Sequence, residues 1–187
     1  QGIDCEIDIK NAINDLNRIF ISDEQLNIFY RKSYTKKIIP TIPQKITLDK
    51  IVQSRQSGKN KGLVSLATAI GKTFIGVLDA KKINGKTLFL AHTHPILELS
   101  QESFKRAWPE IRNDLGEFTG KKKEINKKIT FATVQTLSKE QNLQQFSSDF
   151  FDYIIIDETH HVASPSYQKI TNYFTPKFML GLTGTPD

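Results

Sequence analysis

The sequence predicts an α/β fold in which helices cover both faces of a mostly parallel sheet. Short apolar runs recur along the chain from residue 63 onward, and such runs are typical of strands buried on both faces. The five predicted strands are Leu63–Ala67, Thr87–Ala91, Ile129–Ala132, Tyr153–Ile156 and Phe178–Leu182. Helical patterns lie between them, at Lys72–Lys82, Pro95–Trp108, Leu137–Phe146 and Ser166–Tyr173. Alternation of strand and helix favours parallel pairing, and such sheets bind ligands at the carboxyl ends of their strands.

The composition bounds the class of protein. The chain has 187 residues, 38% of them hydrophobic and 25% charged, which predicts one folded domain with a small appendage and excludes disorder for most of it. Lysine and arginine number 26 against 20 acidic residues; the net charge of +6 favours a phosphate-bearing partner, although many mildly basic proteins bind no nucleic acid. Cys5 is the only cysteine, which excludes an internal disulfide and fits a reducing cytosol. No apolar run approaches the about 20 residues that span a bilayer.

The chain is predicted to divide into a helical lead-in and linker, residues 1–39, and a larger domain, residues 40–187. Apolar residues at helical spacing from Ala12 to Phe20, and a capping-box pattern at Ser22 and Gln25, predict two helices in the lead-in. Its basic cluster can contact phosphates or form a solvated connector; the cluster comprises Arg31, Lys32, Lys36 and Lys37. A further helix is predicted through Ile46, Leu48, Ile51 and Val52, ending near Gly58.

A Gly-Lys-Thr sequence lies between the first predicted strand and the helix that follows it. This is the context of a phosphate-binding loop, in which backbone N–H groups and the helix dipole attract phosphate oxygens. Lys72 is expected to neutralise the β and γ phosphates of ATP, and Thr73 to place its hydroxyl on Mg²⁺. The remaining loop positions are Thr68, Ala69, Ile70 and Gly71. Leu66 stands where the usual motif has its first glycine, so an incidental Gly-Lys-Thr at a helix start is the alternative.

Two adjacent acids and a histidine follow the fourth predicted strand. Asp157 can hold Mg²⁺ through its water shell, and Glu158 can orient and deprotonate the attacking water. His160 can hydrogen-bond to neighbouring loops and report the nucleotide state. The acids could instead cap the next helix, and the four histidines of the chain could bind a metal. Two or three βα units fit between Lys72 and Asp157, so we expect this strand beside the strand of the phosphate loop.

These residues resemble the motifs of superfamily 2 DEAD/DEAH-box helicases. Leu66–Thr73 is similar to their A-x-T-G-x-G-K-T loop, although Ala69 replaces a glycine. Asp157–His160 is similar to their Asp-Glu-x-His box, and Thr183–Thr185 to their motif III. The resemblance implies that His160, Thr183 and Thr185 couple the nucleotide state to the nucleic acid. It also implies that Gln44 reads adenine, although Pro43 replaces the aromatic residue often found before this glutamine.

Three further segments resemble the motifs with which these helicases contact nucleic acid. Leu88–His92 resembles motif Ia, with Thr93 and His94 in place of an Arg-Glu pair, and Phe131–Leu137 resembles motif Ib. The implied contacts lie on the opposite strand-end loops, where backbone amides and hydroxyls would follow phosphates rather than read bases. The residues concerned are His92, Thr93, Thr119, Gly120, Thr133 and Gln135. An ordinary helix cap is the alternative for Thr133 and Gln135.

Within the superfamily, the chain most resembles bacterial restriction-type helicases similar to type III restriction subunits, some of which carry a phospholipase-D-like nuclease module. The resemblance implies a RecA-like P-loop NTPase fold, ATP and Mg²⁺ as cofactors, a bacterial cytoplasmic location, and DNA rather than RNA as partner. It implies a DNA-directed ATPase of restriction, defence or repair whose second RecA-like domain, with its arginine fingers, is absent from this chain, so hydrolysis by the chain alone should be weak. Two alternatives are a nucleotide-gated binding module with little hydrolysis and an ATPase that remodels protein.

Overall fold

A single sheet of six parallel strands organises the structure, a computed structural model that describes residues 39–66, 71–157 and 164–184. The strands are β1 (Lys61–Ser65), β2 (Thr87–Ala91), β3 (Leu115–Phe118), β4 (Ile129–Thr133), β5 (Tyr153–Asp157) and β6 (Phe178–Thr183). Their order across the sheet is β1-β6-β5-β2-β4-β3, and every neighbouring pair is parallel. The predicted α/β class with a parallel sheet is therefore confirmed.

The helices of the described residues form a layer on each face of this sheet. Their bounds are α1 (Ile42–Gln56), α2 (Lys72–Ile83), α3 (His94–Ala107), α4 (Val134–Leu137), α5 (Glu140–Leu143) and α6 (Pro165–Tyr173), with a 3₁₀ helix at Pro109–Asp114. Phe89 of β2 packs in a cluster with residues of α1, α2 and α3, whereas its neighbours Leu88 and Leu90 pack in a second cluster with residues of α4, α5 and α6. Because successive strand residues face opposite sides, the two clusters are the two cores of a three-layer domain.

A partly buried ion pair joins α1, α2 and β5 near the amino ends of the strands. The Arg55 guanidinium donates two hydrogen bonds to the Asp79 carboxylate, at 2.6 and 2.7 Å, and the Tyr153 hydroxyl donates a third to Asp79 at 2.8 Å. Asp79 has no exposed surface. The Arg55 guanidinium also lies 5.1 Å from the centre of the Phe178 ring in β6. Bidentate pairing of this kind fixes the direction of both side chains, so the network holds two helices and two strands in one arrangement.

Two parts of the architecture differ from the sequence-based expectation. The strand β3 was not predicted, because Leu115–Phe118 contains Gly116 and Glu117 and so lacks an apolar run. The predicted helix Leu137–Phe146 is wrong in its extent, since α4 and α5 are separate short helices. They are separated where Lys139 adopts extended backbone torsions, φ −70° and ψ 131°, which end one helix and begin the next.

The predicted lead-in lies outside the described residues except for Ile39, so the predicted boundary between residues 39 and 40 stays a prediction. Within the described residues, no helix has both the length and the apolar character needed to cross a membrane.

Candidate active site

The carboxyl ends of β1, β6 and β5 form one half of an edge of the sheet. Because all strands are parallel, the loop after β1, the end of β5 and the end of β6 meet at this edge. The expected direct contact between β1 and the Asp157 strand is wrong, because β6 lies between them and pairs with both. Burial explains the order. All six residues of β6 are buried, as an interior position requires, whereas β1 alternates exposed and buried positions, as an edge strand can.

Gly71 is the N-cap residue directly before helix α2 and has a left-handed backbone conformation, with φ 72° and ψ 55°. Residues with a β-carbon adopt this conformation at a cost, whereas glycine does not. A β-carbon at this position would also lie 3.1 Å from Nε2 of Gln44. The glycine of the predicted loop is therefore required both by the backbone torsion and by its close neighbour. The loop positions Thr68, Ala69 and Ile70 lie outside the described residues.

Lys72 is the first residue of α2 and only 7% of it is exposed. The amino end of a helix attracts anions, because its first N–H groups lack partners within the helix and the helix dipole is positive there. A phosphate group bound at this place would interact with the helix end and with the Lys72 ammonium group. Thr73, the next residue, is half-buried at the same end of the helix. This end of α2 is therefore chemically suited to an anion.

Asp157 ends β5 at the same edge and is 7% exposed. A buried carboxylate close to a phosphate-binding helix end is a suitable donor for a hard cation such as Mg²⁺, directly or through water. The residues present therefore fit Mg·ATP, with Lys72 on the phosphates and Thr73 and Asp157 toward the cation. A cluster of three or more His, Cys, Asp or Glu side chains suited to a metal does not occur among the described residues, and His160 and His161 lie outside them.

Gln44 lies beside the phosphate loop although it precedes Lys72 by almost thirty residues. It sits in the first turn of α1, and its Oε1 accepts a hydrogen bond from the backbone N–H of Thr41 at 2.9 Å. This capping bond orients the amide, and the Nε2 atom then faces the α-carbon of Gly71. The structure thus places the predicted adenine-reading glutamine next to the loop.

Thr183, the last residue of β6, connects the third predicted motif to the loop. It is 4% exposed, it pairs with Ser65 of β1, and its carbonyl accepts a hydrogen bond from the N–H of Leu66 at 3.1 Å. A shift in the phosphate loop would therefore act directly on the end of β6. The other predicted coupling residues, His160 and Thr185, and the predicted base Glu158 lie outside the described residues.

The predicted nucleic-acid residues follow β2, β4 and β3, which form the other half of the sheet. The expectation that they lie on the opposite strand ends is wrong, because every strand is parallel and these loops share the carboxyl edge with the nucleotide half. Ala91 of β2 pairs with Thr133 of β4, and Phe118 of β3 pairs with Ala132. The loops beginning at His92, Thr119 and Thr133 are therefore neighbours, displaced sideways from the phosphate loop.

These loop residues differ in their availability to a ligand. His92, Thr93, Gly120 and Gln135 are exposed. Thr119 is buried, and its hydroxyl oxygen accepts hydrogen bonds from the N–H groups of two following residues at 3.4 Å. Thr133 is at the N-cap position of α4, and its hydroxyl donates to the Thr136 hydroxyl at 2.9 Å. Thr119 and Thr133 thus shape their own turns, and the exposed residues remain to contact a ligand.

Sequence reasoning overlooked a run of lysines directly after Gly120. We call Lys121, Lys122, Lys123, Lys127 and Lys128 the lysine strip. The signal was visible, since the eight residues from 121 to 128 contain five lysines and one glutamate.

The structure and sequence match known nucleic-acid motors. The family model of the type III restriction enzyme, res subunit, matches residues 37–187. Rad25 of Haloarcula marismortui is 32% identical over 116 residues, 62% of this chain and 18% of that protein. The DNA 3'-5' helicase XPB of Mycobacterium tuberculosis is 30% identical over 129 residues, 66% of this chain and 23% of that one. The helicase domain of Pyrococcus furiosus Hef superposes with a TM-score of 0.66 at 24% identity, over 79% of this chain and 33% of its own.

The parallel sheet and its similarity to the Hef helicase domain show a RecA-like fold. The family model and the helicase relatives show that it is the N-terminal RecA-like domain of superfamily 2 helicases. The chain belongs to the family of the type III restriction enzyme res subunit, whose model covers residues 37–187. The resemblance stated from the motifs is thereby confirmed. The chain spans about a fifth of the length of the two relatives.

Proposed function

We propose that this chain is the ATP-binding half of a DNA-dependent ATPase, a helicase or translocase of restriction, defence or repair. The observation that carries the proposal is the buried Lys72 at the start of α2, behind a left-handed Gly71 and at the same edge as the buried Asp157. The family of the chain and the DNA helicase among its relatives support DNA as the partner.

In the proposed reaction, Lys72 holds the β and γ phosphates against the amino end of α2, where the helix dipole adds to its charge. Thr73 and Asp157 hold the cation, which when bound neutralises charge on the phosphoryl oxygens. Gln44 receives the adenine edge through the amide that Thr41 orients. Glu158 orients the attacking water and accepts its proton.

Coupling to nucleic acid is proposed to run through β6. Thr183 is bonded to Leu66 at the base of the phosphate loop, so a change in the loop shifts the end of β6 and the following Thr185. Together with His160, these residues would transmit the nucleotide state toward the loops after β2, β4 and β3. There His92, Thr93, Gly120 and Gln135 would contact the phosphate backbone, while Thr119 and Thr133 keep the turns in shape.

The test is nucleic-acid stimulation of ATP hydrolysis. Hydrolysis should be measured with single-stranded DNA, duplex DNA and RNA, using this chain joined to its second RecA-like domain. We expect DNA to raise the turnover rate and RNA to raise it less. ATP hydrolysis that no nucleic acid stimulates would contradict the proposal and favour an ATPase that acts on protein. Tight nucleotide binding without hydrolysis would favour the binding module, whose support is the replacement of loop glycines by Leu66 and Ala69.

A further inference from the structure

The lysine strip concentrates most of the net charge of the chain in eight residues. Its five lysines and Glu124 carry a net charge of +4, and the whole chain carries +6. Surfaces of ordinary soluble domains intersperse charges of both signs, because like charges close together repel. A run of lysines would have no binding role if its backbone were mobile or if acidic neighbours neutralised its charges. Neither condition describes this strip.

The backbone of the strip is fixed along the edge of the sheet. After β3 the chain turns back, with the N–H of Thr119 bonded to the carbonyl of Lys122 at 2.8 Å and that of Glu124 to the carbonyl of Glu117 at 2.9 Å. Phe118 and Lys123 form an antiparallel bridge. The single acid of the segment, Glu124, accepts a backbone hydrogen bond from Glu117 at 3.0 Å. The segment therefore runs beside β3 from the carboxyl edge of the sheet back toward the amino ends.

Most of the lysine side chains are held by neutral oxygen atoms. Lys127 donates to the carbonyl of Asn113 at 2.8 Å, Lys128 to the side chain of Asn84, and Lys123 to the side chain of Asn142. Amide and carbonyl partners direct an ammonium group without cancelling its charge. Lys122 is the exception, since it lies 3.5 Å from the Glu117 carboxylate. The strip is thus a positioned and largely uncompensated row of positive charges.

The two ends of the strip meet other features. Its upper end, at Lys121 and the carboxyl edge of the sheet, adjoins Gly120, an exposed residue of the proposed nucleic-acid loops. Its lower end, at Lys127 and Lys128 near the amino ends of the strands, opens on a cleft of about 450 Å³, lined by Asn84–Lys86, Asn126–Lys128 and Asp152. Lys86 adds a further ammonium group there, above the ring of Phe150 at 4.0 Å. Asp152, the acid that lines this cleft, is paired with Lys177 at 2.9 Å, so a ligand that follows the strip meets mainly positive charge along this edge.

We propose that the lysine strip binds the phosphate backbone of a nucleic-acid duplex, beside the strand that the carboxyl-edge loops would hold. The inference rests on the proposed function and adds the form of the substrate. Lysine ammonium groups act as point charges on phosphates and read no base sequence. Sites for single strands usually combine positive charge with exposed aromatic rings on which bases stack. The aromatic rings beside the strip are not open for stacking, because Phe118 and Trp108 are buried and the half-buried Phe150 ring lies under the Lys86 ammonium group. This favours a duplex over a single strand.

The test compares two triple variants with the unaltered chain. The strip variant carries Lys121→Gln, Lys122→Gln and Lys123→Gln. The control carries Lys50→Gln, Lys59→Gln and Lys61→Gln, three exposed lysines on α1 and the β1 side of the sheet. Both variants lose three positive charges, so a difference between them cannot come from the net charge. Neither set includes a residue of the proposed ATP site, so nucleotide binding should stay unchanged in both.

Affinity for a blunt DNA duplex, a single strand and an RNA duplex is measured over a range of salt concentrations. Each lysine–phosphate contact contributes roughly 0.9 to the slope of log affinity against log salt, so the strip variant should lose about 2 to 3 from the duplex slope. The same loss corresponds to roughly 10²- to 10³-fold in affinity at about 0.1 M salt. The control should keep the slope of the unaltered chain. A second variant, Lys127→Gln with Lys128→Gln, tests the lower end and should lose up to about 2.

The outcomes separate this inference from the proposed function. Equal losses of duplex affinity in the strip and control variants, or an unchanged salt slope in the strip variant, would overturn the proposed binding role of the lysine strip. The ATPase proposal would remain intact. Equal losses for single strands and duplexes would overturn the assignment to a duplex. Absence of any nucleic-acid binding by the unaltered chain, together with normal binding of Mg·ATP, would remove both proposals.

Discussion

At the scale of single residues, Gly71 combines a left-handed torsion with a close neighbour, the Gln44 amide. For Gly71→Ala we expect a loss of about 1 to 2 kcal/mol in the free energy of unfolding, because the torsion is strained for alanine. Affinity for Mg·ATP should also fall several-fold, because Gln44 must move. Titration with a fluorescent nucleotide and denaturant unfolding would measure the two effects.

Gly120 provides the matched control for that substitution. It is not among the glycines with positive φ, and a β-carbon there would meet nothing within 4 Å. Gly120→Ala should therefore leave stability and nucleotide affinity nearly unchanged. Equal effects of the two substitutions would show that Gly71 has no special place in the loop.

Substitutions of Lys72 and Glu158 should have different effects on nucleotide binding and on hydrolysis. Lys72→Ala removes the cation at the start of α2 and should abolish detectable binding of Mg·ATP. Glu158→Gln keeps the shape of the side chain but not its basicity, so binding should persist while hydrolysis by the full-length motor falls by about 10²-fold or more. Equilibrium binding and steady-state hydrolysis would be measured on the same preparations. Undiminished hydrolysis in Glu158→Gln would show that another group is the base.

The residues proposed for the ATP site could be chosen from the sequence because they form short motifs of adjacent residues. Gly71–Thr73 and Asp157 follow predicted strands, and any such residues in a parallel sheet reach its carboxyl edge. The contact of Gln44 with Gly71 depends on how α1 packs, which local patterns do not encode. It could be expected only from the resemblance to helicases.

At the scale of helices and strands, the Arg55–Asp79 pair connects α1 to α2 through two hydrogen bonds. For Arg55→Met we expect the free energy of unfolding to fall by about 3 kcal/mol or more, because the Asp79 carboxylate is fully buried and would lose its ionic partner. Lys82→Met, an exposed position on α2, is the control and should change stability by about 0.5 kcal/mol or less. Chemical denaturation would measure both, and equal small effects would show that the pair does not hold α1 against α2.

Tyr153 should make the fold sensitive to alkali. Burial, and then the neighbouring Asp79 charge, raise the pKa of its hydroxyl well above the ordinary value of 10. The unfolded chain therefore loses this proton first, so the contribution of Tyr153 to stability is constant below about pH 10 and falls above it by up to about 1.4 kcal/mol per pH unit. Tyr153→Phe should be less stable at neutral pH, by about 1.5 to 3 kcal/mol for the lost bond to a carboxylate, but should fall less steeply above pH 10. Unfolding curves from pH 8 to 11 would show whether the slopes differ.

Prediction of the elements succeeded where one physical signal dominated. Tyr153–Asp157 and Phe178–Thr183 are buried throughout, and their uninterrupted apolar character revealed them. Leu115–Phe118 alternates half-buried and buried residues over only four positions, a pattern too short to distinguish from a loop. The order of strands was not predictable either, since β6 takes its interior place through pairing with two distant segments.

At the scale of the whole molecule, the sheet is divided into two working halves. The β1-β6-β5 half carries the proposed nucleotide residues, and the β2-β4-β3 half carries the loops and the lysine strip proposed for nucleic acid. The two halves meet where β5 pairs with β2. A motor built on this sheet would bind ATP and nucleic acid side by side at the carboxyl edge of one sheet.

We expect this chain alone to bind Mg·ATP but to hydrolyse it slowly, because the proposed second RecA-like domain would supply the arginine fingers. Such residues are worth about 10³ to 10⁵ in rate in related phosphoryl-transfer enzymes. Single-turnover hydrolysis by the chain, with and without its second domain, would measure the difference. A rate comparable with that of the two-domain protein would show that the chain carries a complete catalytic site.

The position of β6 in the sheet has a consequence for folding during synthesis on the ribosome. Within the described sheet β1 has no strand neighbour except β6, whose residues are synthesised more than a hundred positions later. Loop closure over such a separation is slow, and during synthesis β1 must wait with its pairing groups unmet while β2 to β5 can already associate. Strands β1 and β6 are thus the last of the described strands to join the sheet, and we expect nucleotide binding only after β6 has been synthesised.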